Sequence, residues 1–256
     1  KYDEPPTLLV QHILQAGDTD RFEPVLHRHL YLAVHALADK ADLADELHRR
    51  IIASLLDISR HAHEDERKDA LEALSSLEED RYAADGLLTL ARDPGDDHRL
   101  RRYAAAALAR LGCIDTATKI LSALAHDTHV STAVRLEAAW GLGRLGHTAD
   151  AVPILLTHAR DSSLDVTIRD AAADALTELH TPHFSEAYWY LSDVQIIHLE
   201  TDIYPSPIAP VTAPNLAAEA LLTLARDPQV VSQIRLRAAK ALRESDRADA
   251  ATEILL

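Results

Sequence analysis

Methionine is absent from all 256 residues, position 1 included, which predicts that the sequence is a piece of a longer chain. Cysteine occurs once, at Cys113, so no internal disulfide can form. The opening "KYDEPPTLLV" lacks the basic-then-apolar pattern of a secretion leader, and with a single cysteine the expected compartment is the cytoplasm. No apolar run reaches the roughly 18 residues of a membrane span, because Asp, Glu, Arg or His interrupts each one. Basic residues are outnumbered 26 to 41, and the resulting charge of −15 repels phosphate backbones, the reverse of what a generic nucleic-acid binder carries.

Motifs that carry chemistry are also scarce. No Gly-x-x-x-x-Gly-Lys-Ser/Thr phosphate loop occurs. "GLGRLG" at 141–146 has the glycine spacing of a dinucleotide fingerprint but falls inside a helical pattern, where no strand-to-helix turn can cradle a pyrophosphate. Histidines come only in pairs such as His61 with His63 or His180 with His183, whereas zinc or iron needs three or four converging ligands. Cys113 has no His or carboxylate at a spacing that would activate it, and reads as a small packed residue. Neither a catalytic residue nor a cofactor is expected.

What the sequence has is repetition. "LLTLARDP" occupies 87–94 and recurs unchanged at 221–228. Its Asp falls at Asp93, Asp127, Asp161 and Asp227, in steps of 34, 34 and 66. Eight residues after each stands an Arg, at Arg101, Arg135, Arg169 and Arg235; Arg67 extends the series backwards, with Ser59 in the Asp slot. A fixed period of this length is the mark of a solenoid. The second half of each unit aligns without gaps as "LRRYAAAALARLG", "VRLEAAWGLGRLG", "IRDAAADALTELH" and "IRLRAAKALRESD". Leu100, Ala104, Ala107, Leu108 and Leu111 form one apolar stripe at helical period, matched by Val134, Ala138, Gly141, Leu142 and Leu145. Gly112 and Gly146 suit left-handed C-caps. The first half of each unit is a helix ending at the Asp, and one such hairpin cannot bury its apolar side without a neighbour.

These units resemble HEAT repeats: paired helices, the Asp that closes the first, the Arg that opens the second, and "AVPILL" with Pro153 inside a helix. The resemblance implies an all-α, right-handed solenoid of stacked hairpins. It also implies a ladder joining successive repeats through Asp93, Asp127, Asp161 and Asp227 with Arg101, Arg135, Arg169 and Arg235. The Asp-to-Arg gap is two residues longer than the family's usual one, which predicts a wider turn. The expected organisation is one solenoid over 1–256, with divergent helices at 1–42 and regular repeats at 43–193. An irregular Pro-rich interruption follows at 194–213, then the last repeats at 214–256. In the interruption Pro205, Pro207, Pro210 and Pro214 forbid a continuous helix. There a second helix is expected to be missing, with Phe184, Tyr188, Trp189, Tyr190 and Tyr204 plugging the gap or docking a partner. The stretch around residues 28–60 is in turn similar to regions downstream of the core in bacterial NACHT-type signalling ATPases.

In HEAT-like solenoids the second helices line a concave face. Opposite the core stripe, that face would carry Arg102, Arg110, Leu136, Trp140 and Arg144 beside an acidic strip of Asp170, Asp174 and Glu178. Large apolar groups ringed by Arg anchor protein interfaces. The alternative is that Trp140 lies flat between helices. The function expected is a non-catalytic protein–protein interaction scaffold or sensor, part of a larger signalling protein. It would grip a protein or peptide, or its own missing domains. A nucleic-acid binder of the HEAT-like DNA glycosylase type is the alternative, and a phycobilin-lyase-like enzyme shares the repeats without motif support. Deoxyhypusine hydroxylases hold iron through His-Glu pairs at second-helix starts. The matching positions here, such as Arg102-Tyr103 and Leu136-Glu137, carry none.

Overall fold

Short polar side chains fix where several helices begin. Asp80 accepts from the backbone N–H groups of Tyr82 and Ala83, Asp97 from Arg99, Ser131 from Val134 and Asp165 from Thr167, satisfying donors that a helix start leaves free. The computed structural model describes residues 6–19, 27–93, 95, 97–180 and 214–243. Among the described residues there are twelve α-helices and no strand, grouped in two compact units, residues 1–114 and 115–256.

In the first unit, α1 (Pro6–Gly17) pairs with α2 (Arg28–Ala38), α3 (Asp45–His61) with α4 (Glu64–Ser75), and α5 (Arg81–Arg92) with α6 (His98–Arg110). The hairpins stack in register, with α3 on α5 and α4 on α6. The second unit runs α7 (Ile114–His126), α8 (Thr132–Arg144), α9 (Thr148–Arg160), α10 (Val166–His180), α11 (Pro214–Arg226) and α12 (Ser232–Arg243). Here α9 packs against both α8 and α10, α8 and α10 touch each other, α9 packs on α11, and α10 on α12. The protein is therefore all-α and built of stacked hairpins. Pro153 lies inside α9, as its sequence suggested.

The apolar stripe is the core. Leu108, Leu142 and Leu176 are all but fully buried, as are Ala104, Ala138 and Ala172. At the slot without an Asp, buried Ser59 donates its hydroxyl to the Leu55 carbonyl and is satisfied within its own helix.

The expected gap before the last repeat is not found. The α11–α12 hairpin is the next layer after α9–α10, so the 66-residue step is a single repeat whose link between helices, 181–213, is 33 residues long. That total merely lies close to two periods. The Pro-rich stretch 194–213 and the aromatics Phe184, Tyr188, Trp189, Tyr190 and Tyr204 lie outside the described residues. A plug for a missing helix nevertheless loses its premise, because α11 and α12 pack directly on the preceding pair.

Gly112 and Gly146 end α6 and α8 at φ of 85° and 90°. The N–H groups of Cys113 and His147 reach back to the carbonyls of Leu108 and Leu142 at 2.9 and 3.0 Å, which closes the left-handed cap. A β-carbon on Gly112 would meet nothing within 4 Å, so only backbone strain opposes one. Gly112→Ala should lower unfolding free energy by about 1 kcal/mol, with Gly112→Asn costing less, as read from urea denaturation midpoints.

Candidate interaction surfaces

The repeated Asp shapes the turn inside each hairpin. Asp93, Asp127, Asp161 and Asp227 each accept from the backbone N–H two residues on, at Gly95, His129, Ser163 and Gln229, over 2.8–2.9 Å. After the turn an apolar residue tucks under, with Val130 and Val230 each 4 % exposed.

The Arg of the series works differently from the expected ladder. The Arg101 and Arg235 Nε–H groups donate to the carbonyls of Ala91 and Ala225 at 3.2 and 3.4 Å, tying each second helix to the end of the first helix in its own hairpin. Arg135 Nη2 donates to Thr132 Oγ1 at 3.0 Å. Arg67, the member of the series on α4, does reach the next hairpin, its Nη1 3.7 Å from Asp97 Oδ2, and other arginines make further contacts between repeats. Arg160 Nη2 stands 2.7 Å from Asp227 Oδ2 in the next repeat, and Arg60 Nη2 stands 3.9 Å from Asp93 Oδ2. Arg101 and Arg235 thus point back along their own hairpins, whereas Arg60 and Arg160, at the ends of first helices, project towards the next turn.

The family model for the PBS lyase HEAT-like repeat matches residues 100–126 and 134–161, which span α6 with α7 and α8 with α9. These are HEAT-like repeats. No curated protein matches the chain. HEAT-like repeats point in general terms to a protein-interaction scaffold. Among the described residues, no helix is long and apolar enough to cross a membrane.

The five residues expected on an open concave patch divide between the units, and the structure does not expose them as a patch. In the first unit Arg102 is fully buried, its guanidinium carbon 4.1 Å from the centre of the Tyr103 ring, and Arg110 is half-buried. In the second unit Leu136 is 4 % and Trp140 3 % exposed. The alternative position for Trp140, between helices, is the one observed. The HEAT-like α8 is buried around its whole circumference from Leu136 to Gly143. A helical wheel places Trp140 opposite the core stripe but is blind to the neighbouring second helix. At Gly143 a β-carbon would stand 2.5 Å from Leu179 Cδ1, so α8 and α10 approach closely there and enclose what lies between them. The same contact accounts for Gly143 of "GLGRLG", and the C-cap accounts for Gly146.

The acidic strip is the partner of these residues. The Trp140 Nε1–H donates to Glu178 Oε2 at 2.8 Å, and Arg144 Nη1 donates to Glu178 Oε1 at 2.9 Å. Glu178 is 6 % exposed, so both carboxylate oxygens are satisfied away from water. One turn earlier Asp174 pairs with Arg237 of α12, and Asp170 Oδ2 accepts from Gln233 Nε2 at 2.7 Å. Arg237 and Gln233 were missed as site residues. Aligning each acid with the strip one period on, allowing one turn of offset, would have found them.

Burial pushes the Glu178 carboxyl up, against the pull of Arg144 and of the Trp140 hydrogen bond. Burial likewise pushes Asp174 up to about 6; Arg237 opposes this and Asp170 adds to it. Asp161, Asp165 and Asp227 are instead held low, chiefly by hydrogen bonds from Ser163, Thr167 and the Gln229 N–H.

Two outcomes are expected. Trp140→Phe leaves a buried carboxylate oxygen without its donor and should cost about 1–3 kcal/mol in denaturant unfolding. Asp174 binds its proton more tightly folded than unfolded, so its ionisation opposes folding. Stability should therefore rise as pH falls from about 6 to about 4, and Asp174→Asn should flatten that slope in denaturation midpoints measured across the window.

Proposed function

We propose that the chain is a non-catalytic protein–protein interaction scaffold, working as a sensor or docking part within a signalling protein of the cytoplasm. A groove of about 720 Å3 in the first unit is the observation that carries this reading. Leu14 of α1, Leu30 of α2 and Ile51 and Ile58 of α3 give it an apolar lining, and Arg50 and Asp57 stand on its α3 wall. An apolar floor with charges of both signs at the edge suits an amphipathic segment of a partner.

A single half-buried cysteine is compatible with a reducing compartment. The nucleic-acid alternative needed Trp140 and Arg144 free to hold a duplex. Trp140 is buried and Arg144 is ion-paired to Glu178, so neither serves that role in this arrangement.

Ala53 lines the groove and is exposed, so a bulky side chain can fill the space without entering the core. Ala53→Trp should leave helicity and unfolding free energy within about 0.5 kcal/mol while removing the proteins that co-purify with the chain from its own host. An unchanged set of co-purifying proteins, measured by quantitative mass spectrometry, would rule the groove out as the docking surface.

A further inference from the structure

A second, smaller cleft of the first unit has a different character. It holds about 360 Å3 and lies between Tyr31, Val34 and His35 of α2 and Asp69, Glu72, Ala73 and Ser76 of α4. Asp69 and Glu72 stand three residues apart on one side of α4 and are both exposed, so their charges are available at the mouth. Tyr31 is half-buried and offers its ring as a wall, while Val34 is buried and Ala73 half-buried below. Ser76 donates its hydroxyl to the Ala73 carbonyl at 2.7 Å, which leaves the oxygen lone pairs free to accept. Burial, with Asp69 and then Glu66 beside it, pushes the Tyr31 phenol up to about 12, so the ring is neutral and sits in a negative field.

We propose that the cleft between α2 and α4 receives a basic side chain, arginine or lysine, from a partner polypeptide. The carboxylates of Asp69 and Glu72 meet the cationic head, and the Tyr31 ring faces it through its π-cloud. Val34 and Ala73 line the path of the aliphatic stem. The chain's net charge of −15 draws a cationic segment in from solution. This assignment rests on the reading of the chain as an interaction module and adds the chemistry of the partner.

The probe is a fluorescein-labelled, end-capped hexa-arginine peptide followed by anisotropy at physiological salt, with hexa-citrulline as its uncharged counterpart. Because any strongly acidic protein attracts polycations, the informative comparison is between two variants with the same change in charge. Asp69→Asn with Glu72→Gln should weaken hexa-arginine binding about tenfold, whereas Asp150→Asn with Glu219→Gln, on exposed faces of α9 and α11, should change it by no more than about twofold. Tyr31→Leu should weaken binding and Tyr31→Phe, which keeps the ring, should not. Equal losses in the two double variants would show that binding follows net charge alone and would overturn the cleft. Hexa-arginine binding no tighter than hexa-citrulline would do the same. Either failure leaves the scaffold reading standing, since the Ala53→Trp test concerns a different groove.

Discussion

Where α8 meets α10, a β-carbon on Gly143 would lie 2.5 Å from a methyl group of Leu179. That approach governs much of the second unit. Helices this close enclose the side chains between them, so a polar group there must find its partner on the neighbour, because water cannot supply one. Glu178 does so with Trp140 and Arg144. The half-buried Asp174 and Asp170 pair towards α12, through Arg237 and Gln233. The apolar stripe drives hairpins together, and this row of hydrogen bonds sets their register along the stack.

Two kinds of carboxylate thus serve the protein in different ways. Those in the turns accept from the backbone N–H two residues on and so shape their own hairpin, and Asp93 and Asp227 also face an arginine of the preceding repeat. Glu178 is withdrawn from solvent and Asp174 is half-buried, and both are held by side chains from other repeats. They act between hairpins and carry a desolvation cost that raises their proton affinity.

The sequence made the repeats legible because their signals are local. A stripe at steps of three and four, a glycine where φ must be positive and an Asp that accepts from the residue two ahead can each be read within one hairpin. Contacts between hairpins were harder. Trp140 was assigned to an open face because one helix considered alone has only an inside and an outside, whereas α8 has neighbours on several sides. The ladder was assigned to Arg101 and its equivalents because they recur, yet Arg101 and Arg235 bond within their own hairpins while Arg160, one residue before the Asp, reaches the next repeat. The cleft at Tyr31 escaped notice because its two walls belong to helices more than 30 residues apart, with no shared motif.

The direct seating of α11 on α9 and of α12 on α10 separates the array from the segment that joins its last two hairpins. Between α8 and α9, by contrast, only the three residues between Arg144 and Thr148 link the helices. Since the entropy of closing a loop grows only slowly with its length, such a joint tolerates wide variation in size and composition at little cost to the stack. The connection at 181–213 is accordingly the place in this chain where new sequence could be accommodated, by evolution or by grafting, while the helices on either side keep the same neighbours.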